Sequence, residues 1–201
     1  MEPYARNTVA ALISGVMLAS VATASASTHG AASGRMILTV AVDDRARVPG
    51  SLLKDAEDRA ADVFRMSHLE IVWVRASDAR LLALSPPFTV IIAMTPASVS
   101  GNAGPSETEV MGQAVRNVGR AYVYYDRILG IVTPTRDIVT ILGDVIAHEL
   151  GHLLLPRGHA IAGIMRPEVN MTSRLLETFT ETESNQLRKR IIQYPPGAKP
   201  N

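Results

Sequence analysis

The chain has 201 residues, no cysteine and a formal net charge of +1, and 47% of its residues are hydrophobic. That suits one globular domain with a sizeable core, and the scattered Lys and Arg leave no electrostatic footprint for nucleic acid or an acidic membrane surface. The missing thiol excludes cysteine nucleophiles, cysteine metal ligands and lipid attachment at an N-terminal cysteine.

Arg6 precedes an apolar run over 9–22, shorter than the about 20 residues a bilayer-spanning helix needs. Ala24-Ser25-Ala26 then has the small-x-small form that signal peptidase cuts after. The expectation is a signal peptide over 1–26, a flexible mature N-terminus over 27–34, a domain over 35–194 and a tail over 195–201. Such a protein is secreted or periplasmic and has no stable membrane anchor. An inhibitory propeptide that blocks a metal through cysteine is not expected in a chain without cysteine.

The β-rich run 36–42 (MILTVAV) predicts a strand, which Asp43-Asp44 end. After Pro49-Gly50-Ser51, apolar residues at Leu53, Ala56, Ala60, Val63 and Phe64 recur at helical spacing and predict an amphipathic helix over 52–66. Short strands follow at 71–74 (IVWV) and 88–94 (FTVIIAM). The Gly-, Ser- and Pro-containing stretch 95–120 reads as a long surface segment with a short edge strand near Val110, before another strand at 121–125. Thr133-Pro134-Thr135 signals a helix start, so a helix is expected over about 136–155, where Pro156 stops it. Thr180-Glu181-Thr182-Glu183 fits a capping box and predicts a last helix over 181–192.

His148-Glu149-Leu150-Gly151-His152 falls inside the expected helix. Residues four apart share a helix face, so both imidazoles can bind one metal ion. Neutral imidazole suits Zn²⁺, although it also suits several other transition metals. Glu149 follows the first ligand and is placed to take a proton from a metal-activated water. A catalytic zinc needs a third protein ligand. His159 follows the turn at Gly158; the rival is a carboxylate among Glu168, Glu177, Glu181 and Glu183. Of these, Glu183 is better explained by capping. His29, in the tail, and His68, between a helix and a strand, read as bystanders.

The segment HELGHLLLPRGH, followed by AGIMRP, resembles the zinc site of the metzincin metallopeptidases, whose pattern is H-E-x-x-H-x-x-G-x-x-H and then a tight turn containing Met. The resemblance implies His148, His152 and His159 as zinc ligands, Glu149 as catalytic base, and Met165 as the methionine beneath the metal. It also implies a zincin-like α+β fold: a mixed, mainly β layer packed on an N-terminal helix and the active-site helix, then a Met-turn and a C-terminal helix. The chain departs from the pattern in two ways. Six residues rather than five separate His152 from His159, and the pattern's glycine falls at Leu155. The Met-turn also lacks the tyrosine that some metzincins place shortly after the methionine as a transition-state donor, which leaves Tyr122, Tyr124, Tyr125 and Arg157 as candidates.

The expected function is a secreted zinc-dependent endopeptidase acting on peptide or protein substrates. Two alternatives stand beside it: a secreted zinc-binding or interaction domain without catalysis, and a zinc amidohydrolase acting on cell-wall peptides. Because histidine binds metal only when neutral, activity is expected to fall in mild acid.

Overall fold

The computed structural model describes residues 36–78, 88–94, 110–133, 137–168 and 175–193. The expected signal peptide, mature N-terminus and C-terminal tail lie outside these residues, as does His29.

Five strands form one sheet: β1 (Met36–Asp44), β2 (Leu69–Arg75), β3 (Phe88–Ala93), β4 (Gly112–Val115) and β5 (Arg120–Tyr124). Their order is β2-β1-β3-β5-β4. The pairings β1–β2, β1–β3 and β3–β5 are parallel, and β4 joins β5 antiparallel. Parallel strands covered on both faces read as continuous apolar runs, and β3 (FTVIIA) is buried at every position but Thr89. The anticipated edge strand is β4, displaced a little from Val110. β1 runs two residues past its expected end, because Asp43 and Asp44 stay in register with Ile91 and Ile92 of β3.

Among the described residues four α-helices accompany the sheet: α1 (Gly50–Arg65), α2 (Tyr125–Gly130), α3 (Ile138–Leu154) and α4 (Glu181–Gln193). The result is an α+β fold with a mixed sheet, as the motif resemblance implied. α1 packs on β2 and lies along α3, which itself packs on β3, β4 and β5. Gly143 allows the two helices to approach: a Cβ there would lie 2.8 Å from the Ala56 carbonyl oxygen and 2.9 Å from Arg59 Cβ. Beside this contact, Arg59 clasps Asp144 through Nε at 2.8 Å and through its terminal nitrogen at 3.2 Å.

α3 starts at Asp137, whose carboxylate accepts the Thr140 N–H at 2.7 Å, an N-cap of the usual acidic kind. The helix thus begins two residues later than expected, and positions 134–136 of the expected start signal lie outside the described residues. α4 is capped as expected: the Thr180 N–H and hydroxyl both donate to Glu183, at 2.8 and 2.9 Å. A buried hydroxyl pair, Ser67 and Ser184 at 2.8 Å, ties α4 to the end of α1. Phe64 meets Phe179 edge-on at 4.9 Å just before α4 begins. α2 was not anticipated, since six residues are too few to show a helical period. Among the described residues no helix is long and apolar enough to cross a membrane.

Gly143→Ala should destabilise the protein by about 1–3 kcal/mol, because the new methyl has nowhere to go in a packed interface. Gly50→Ala, where a Cβ would meet nothing within 4 Å, should change stability by less than about 0.5 kcal/mol. Urea denaturation of both variants checks the contrast.

Candidate metal centre

α3 is buried along most of its length, but His148 and His152 share the half-exposed stripe that faces a cleft of about 1070 Å³. Their rings stand edge to face with centroids 4.5 Å apart. The helix ends at Leu155, whose backbone turns extended (φ −89°, ψ 163°) while its N–H still reaches the Gly151 carbonyl at 2.8 Å. Leu155 occupies the position of the metzincin glycine, yet its side chain is buried and the chain does not reverse there. The reversal falls instead near Gly158, with φ +117°, a value that side chains avoid. Moving the turn to the residue before the histidine accommodates the longer spacing. His159 comes back to place its Nε2 3.1 Å from the His152 Nε2.

The ligand nitrogens of His148, His152 and His159 all lie within 4.8 Å of one another, and they form the one such cluster found among the described residues. A tetrahedral ion about 2.0–2.1 Å from each nitrogen would set its ligands roughly 3.3 Å apart, close to the His152–His159 separation. The tautomer of His148 also fits. Its Nδ1 lies 2.7 Å from the Ile164 carbonyl, which can only accept, so Nδ1 carries the hydrogen and the Nε2 lone pair is left for a metal. The donor set suits a divalent transition metal.

Beneath the histidines runs the turn that carries Met165. The Ala160 N–H donates to the Met165 carbonyl at 2.9 Å and the Ile164 N–H to the Thr178 carbonyl at 3.0 Å. Gly163 sits at φ +77°, where a Cβ would strike the Thr178 oxygen at 2.5 Å. Met165 is buried against the underside of α3: a Cβ on Gly151 would lie 2.4 Å from its sulfur and 2.9 Å from the Phe179 ring. The glycine inside the His-Glu-Leu-Gly-His segment thus opens the space that the methionine fills.

Glu149 is buried in the cleft wall, and burial pushes its carboxyl up to about 8. Edge strand β4 passes so close that a Cβ on Gly112 would come within 2.6 Å of the Glu149 side chain. Nothing in the sequence marked Gly112, which lies at the end of a loop-like stretch. Burial likewise pushes His148 down, against the opposing pull of its bond to Ile164. It takes His152 down to about 4, with His148, His159 and Arg116 adding their charge. Both histidines on α3 are held neutral, the form that binds metal.

The remaining candidates divide. Glu168 and Glu177 line the cleft; Glu177 accepts from Arg166 at 2.7 Å, and Glu168 is exposed. Glu183 caps α4, and Glu181 is exposed in the first turn of that helix. Of the candidate donors, Arg157 lines the cleft, whereas Tyr122, Tyr124 and Tyr125 do not. The Tyr124 hydroxyl is turned to Gln113 at 3.3 Å. His68 is exposed in the turn between α1 and β2. Sequence reasoning missed Arg116, which also lines the cleft and carries no motif of its own.

No protein-family model and no curated protein sequence matches this chain. Among solved structures, it is similar to archaemetzincin from Methanopyrus kandleri, with a TM-score of 0.51 and 16% identity, over 78% of this chain and 97% of that one. A zinc-dependent peptidase from Methanocorpusculum labreanum aligns with a TM-score of 0.46 and 15% identity, over 77% of this chain and 99% of that one. The likeness to archaemetzincin shows a shared fold.

The buried groups set how the metal-free protein responds to pH. Folded Glu149 keeps its proton up to about 8, whereas the unfolded chain releases it near 4.5, so this group makes stability fall as pH rises through that window. His152 acts in the opposite sense. The unfolded chain binds its proton below 6.5 and the folded chain refuses it down to about 4, so stability falls as pH drops, and His148 adds to that side. The two effects offset each other between 4.5 and 6.5, and Glu149 alone remains above. Chelator-treated protein should therefore melt at a lower temperature at pH 8 than at pH 6.5, and Glu149→Gln should abolish that decline. Thermal unfolding at the two pH values reads it directly.

Proposed function

We propose that this chain is an exported zinc-dependent endopeptidase, with His148, His152 and His159 as zinc ligands and Glu149 as general base. The observation that carries this reading is the convergence of three imidazoles beside a buried carboxylate, in a cleft overhung by a sheet edge. An all-imidazole triad with an adjacent open cleft is the donor set of a catalytic rather than a structural zinc site. A purely structural site would also have no use for Glu149.

Bound zinc would supply Lewis acidity, polarising a carbonyl and making a water acidic near neutral pH. The protein supplies the rest. With the charge of bound zinc favouring its ionised form, Glu149 would accept the proton of the attacking water and deliver it to the leaving amide nitrogen, since a buried carboxyl beside a metal can carry a proton in both directions near neutral pH. Gly112 lets the strand close over that carboxylate without displacing it. β4 uses one edge to pair with β5, and its length from Gly112 to Val115 lines the cleft. An extended peptide can add to the other edge through main-chain hydrogen bonds, which positions an internal peptide bond with little regard to side chains. Export is supported by the apolar run over 9–22 and by Ala24-Ser25-Ala26.

Zinc-loaded protein comprising residues 27–201 should cleave internal bonds of casein. Glu149→Gln should retain one zinc per chain while losing at least about a hundredfold in rate, and His159→Ala should lose zinc to a weak chelator that leaves the parent loaded. A Glu149→Gln protein as active as the parent would remove Glu149 as the base. The exported protein recovered from its natural source should begin at Ser27 by N-terminal sequencing, and an intact Met1 would contradict the export reading.

A further inference from the structure

The charges that line the cleft are unevenly satisfied. Asp144 is held by Arg59, and Glu177 is paired with Arg166. Glu149 is buried as the base, and Glu168 is exposed beyond the Met165 turn. The arginines divide otherwise. Arg116 and Arg157 both line the cleft, and neither makes a hydrogen bond or ion pair with a carboxylate among the described residues.

These two guanidiniums reach the cleft from different elements. Arg116 opens the short 3₁₀ turn that follows β4, and Arg157 lies in the loop that returns His159. They are close enough to feel each other: Arg116 is made less basic by its partial burial, and then by the charges of Arg157 and, from α4, Arg190. The field of Arg116 extends to His152. Two like charges lining one cleft, with no paired carboxylate among the described residues, form a local positive potential, and guanidinium is the side chain best shaped to receive a carboxylate.

We propose that Arg116 and Arg157 together bind a substrate carboxylate, which makes the enzyme selective for peptides carrying Asp or Glu near the bond it cuts. The inference rests on the peptidase reading above and specifies its substrate class. Distance along the strand sets the position of the acid. Gly112 adjoins Glu149, and Arg116 lies four residues further on, an advance of roughly 13 Å. The acid therefore belongs within about three or four residues of the scissile bond, always on the same side of it.

The same arginines could instead stabilise charge developing on the scissile carbonyl, and the experiment separates the two roles. Cleavage of a proteome-derived peptide library by the zinc-loaded parent should show Asp and Glu enriched at one fixed position. Matched synthetic peptides with Glu or Gln at that position are then bound to the Glu149→Gln protein and followed by calorimetry. The Glu peptide should bind about tenfold more tightly, whether its C-terminus is free or amidated. Arg116→Gln combined with Arg157→Gln should bring the ratio close to one, and Arg116→Lys should keep part of it, with folding and zinc content verified for each.

A library without acidic enrichment overturns the proposal, as does a ratio that survives the double substitution. A preference that vanishes on amidation reassigns the pair to the terminal carboxylate and overturns the side-chain claim. A double variant that cleaves all peptides more slowly with its ratio unchanged assigns the arginines to the scissile carbonyl instead. Library cleavage at sites without acidic preference leaves the peptidase reading standing. Absence of both cleavage and peptide binding overturns the two together.

Discussion

Helix α3 lies in the core, yet it carries Asp144, His148, Glu149 and His152 along one region of its surface. Each polar group taken from water needs a partner or must give up its charge, and the surrounding structure can be understood as the set of answers to that demand. Asp144 is partnered by Arg59 of α1, which clasps it with two hydrogen bonds. His148 gives its Nδ1 hydrogen to the Ile164 carbonyl and remains neutral. Glu149 is buried, and desolvation pushes its carboxyl up to about 8, which favours the protonated form in the absence of a metal. His152 and His159 bring their Nε2 atoms to 3.1 Å of each other, a separation close to that of two nitrogens on one tetrahedral metal ion.

The backbone makes those answers available at a few close approaches. Without a side chain at Gly151 the Met165 turn can press against the helix, and that turn presents the Ile164 carbonyl to His148. Lacking a side chain, Gly112 lets the sheet edge cover Glu149, and Gly143 lets α1 come near enough for Arg59 to reach Asp144. Any one methyl at these points would push on a group that the site uses. The metal centre is thus a consequence of packing as well as of ligand spacing. Its two helix histidines, His148 and His152, are held neutral by burial and are prepared for a metal before it arrives.

How much of this was legible in the sequence depends on how local the cause is. The histidine pair and its helix follow from four-residue spacing, and the Thr180–Glu183 cap from a four-residue motif, so both could be placed before any coordinates. The sheet's central strands were legible as apolar runs. Tertiary pairing decided the rest. Asp43 and Asp44 remain in strand because β3 holds them, although their own preference is for a turn. β4 begins at a glycine and owes its extended form to β5, and α2 is too short to carry a period. At the site, His159 could be proposed on ligand count and on the turn at Gly158, which the structure shows with φ +117°; its distance from His152 could not be read, because it depends on where the returning loop packs. Gly112 and Arg116 left no signal, since their significance lies in what they face across the cleft.

The claim on which the account turns is that three imidazoles, one of them delivered by that displaced turn, hold the metal. X-ray absorption at the zinc edge of the loaded protein tests it most directly. The account predicts three imidazole nitrogens at about 2.0–2.1 Å with the remaining scattering from oxygen, and two imidazoles after His159→Ala. A parent spectrum with only two imidazoles and a carboxylate, unchanged by that substitution, would contradict it and move the third ligand to Glu168 or Glu177.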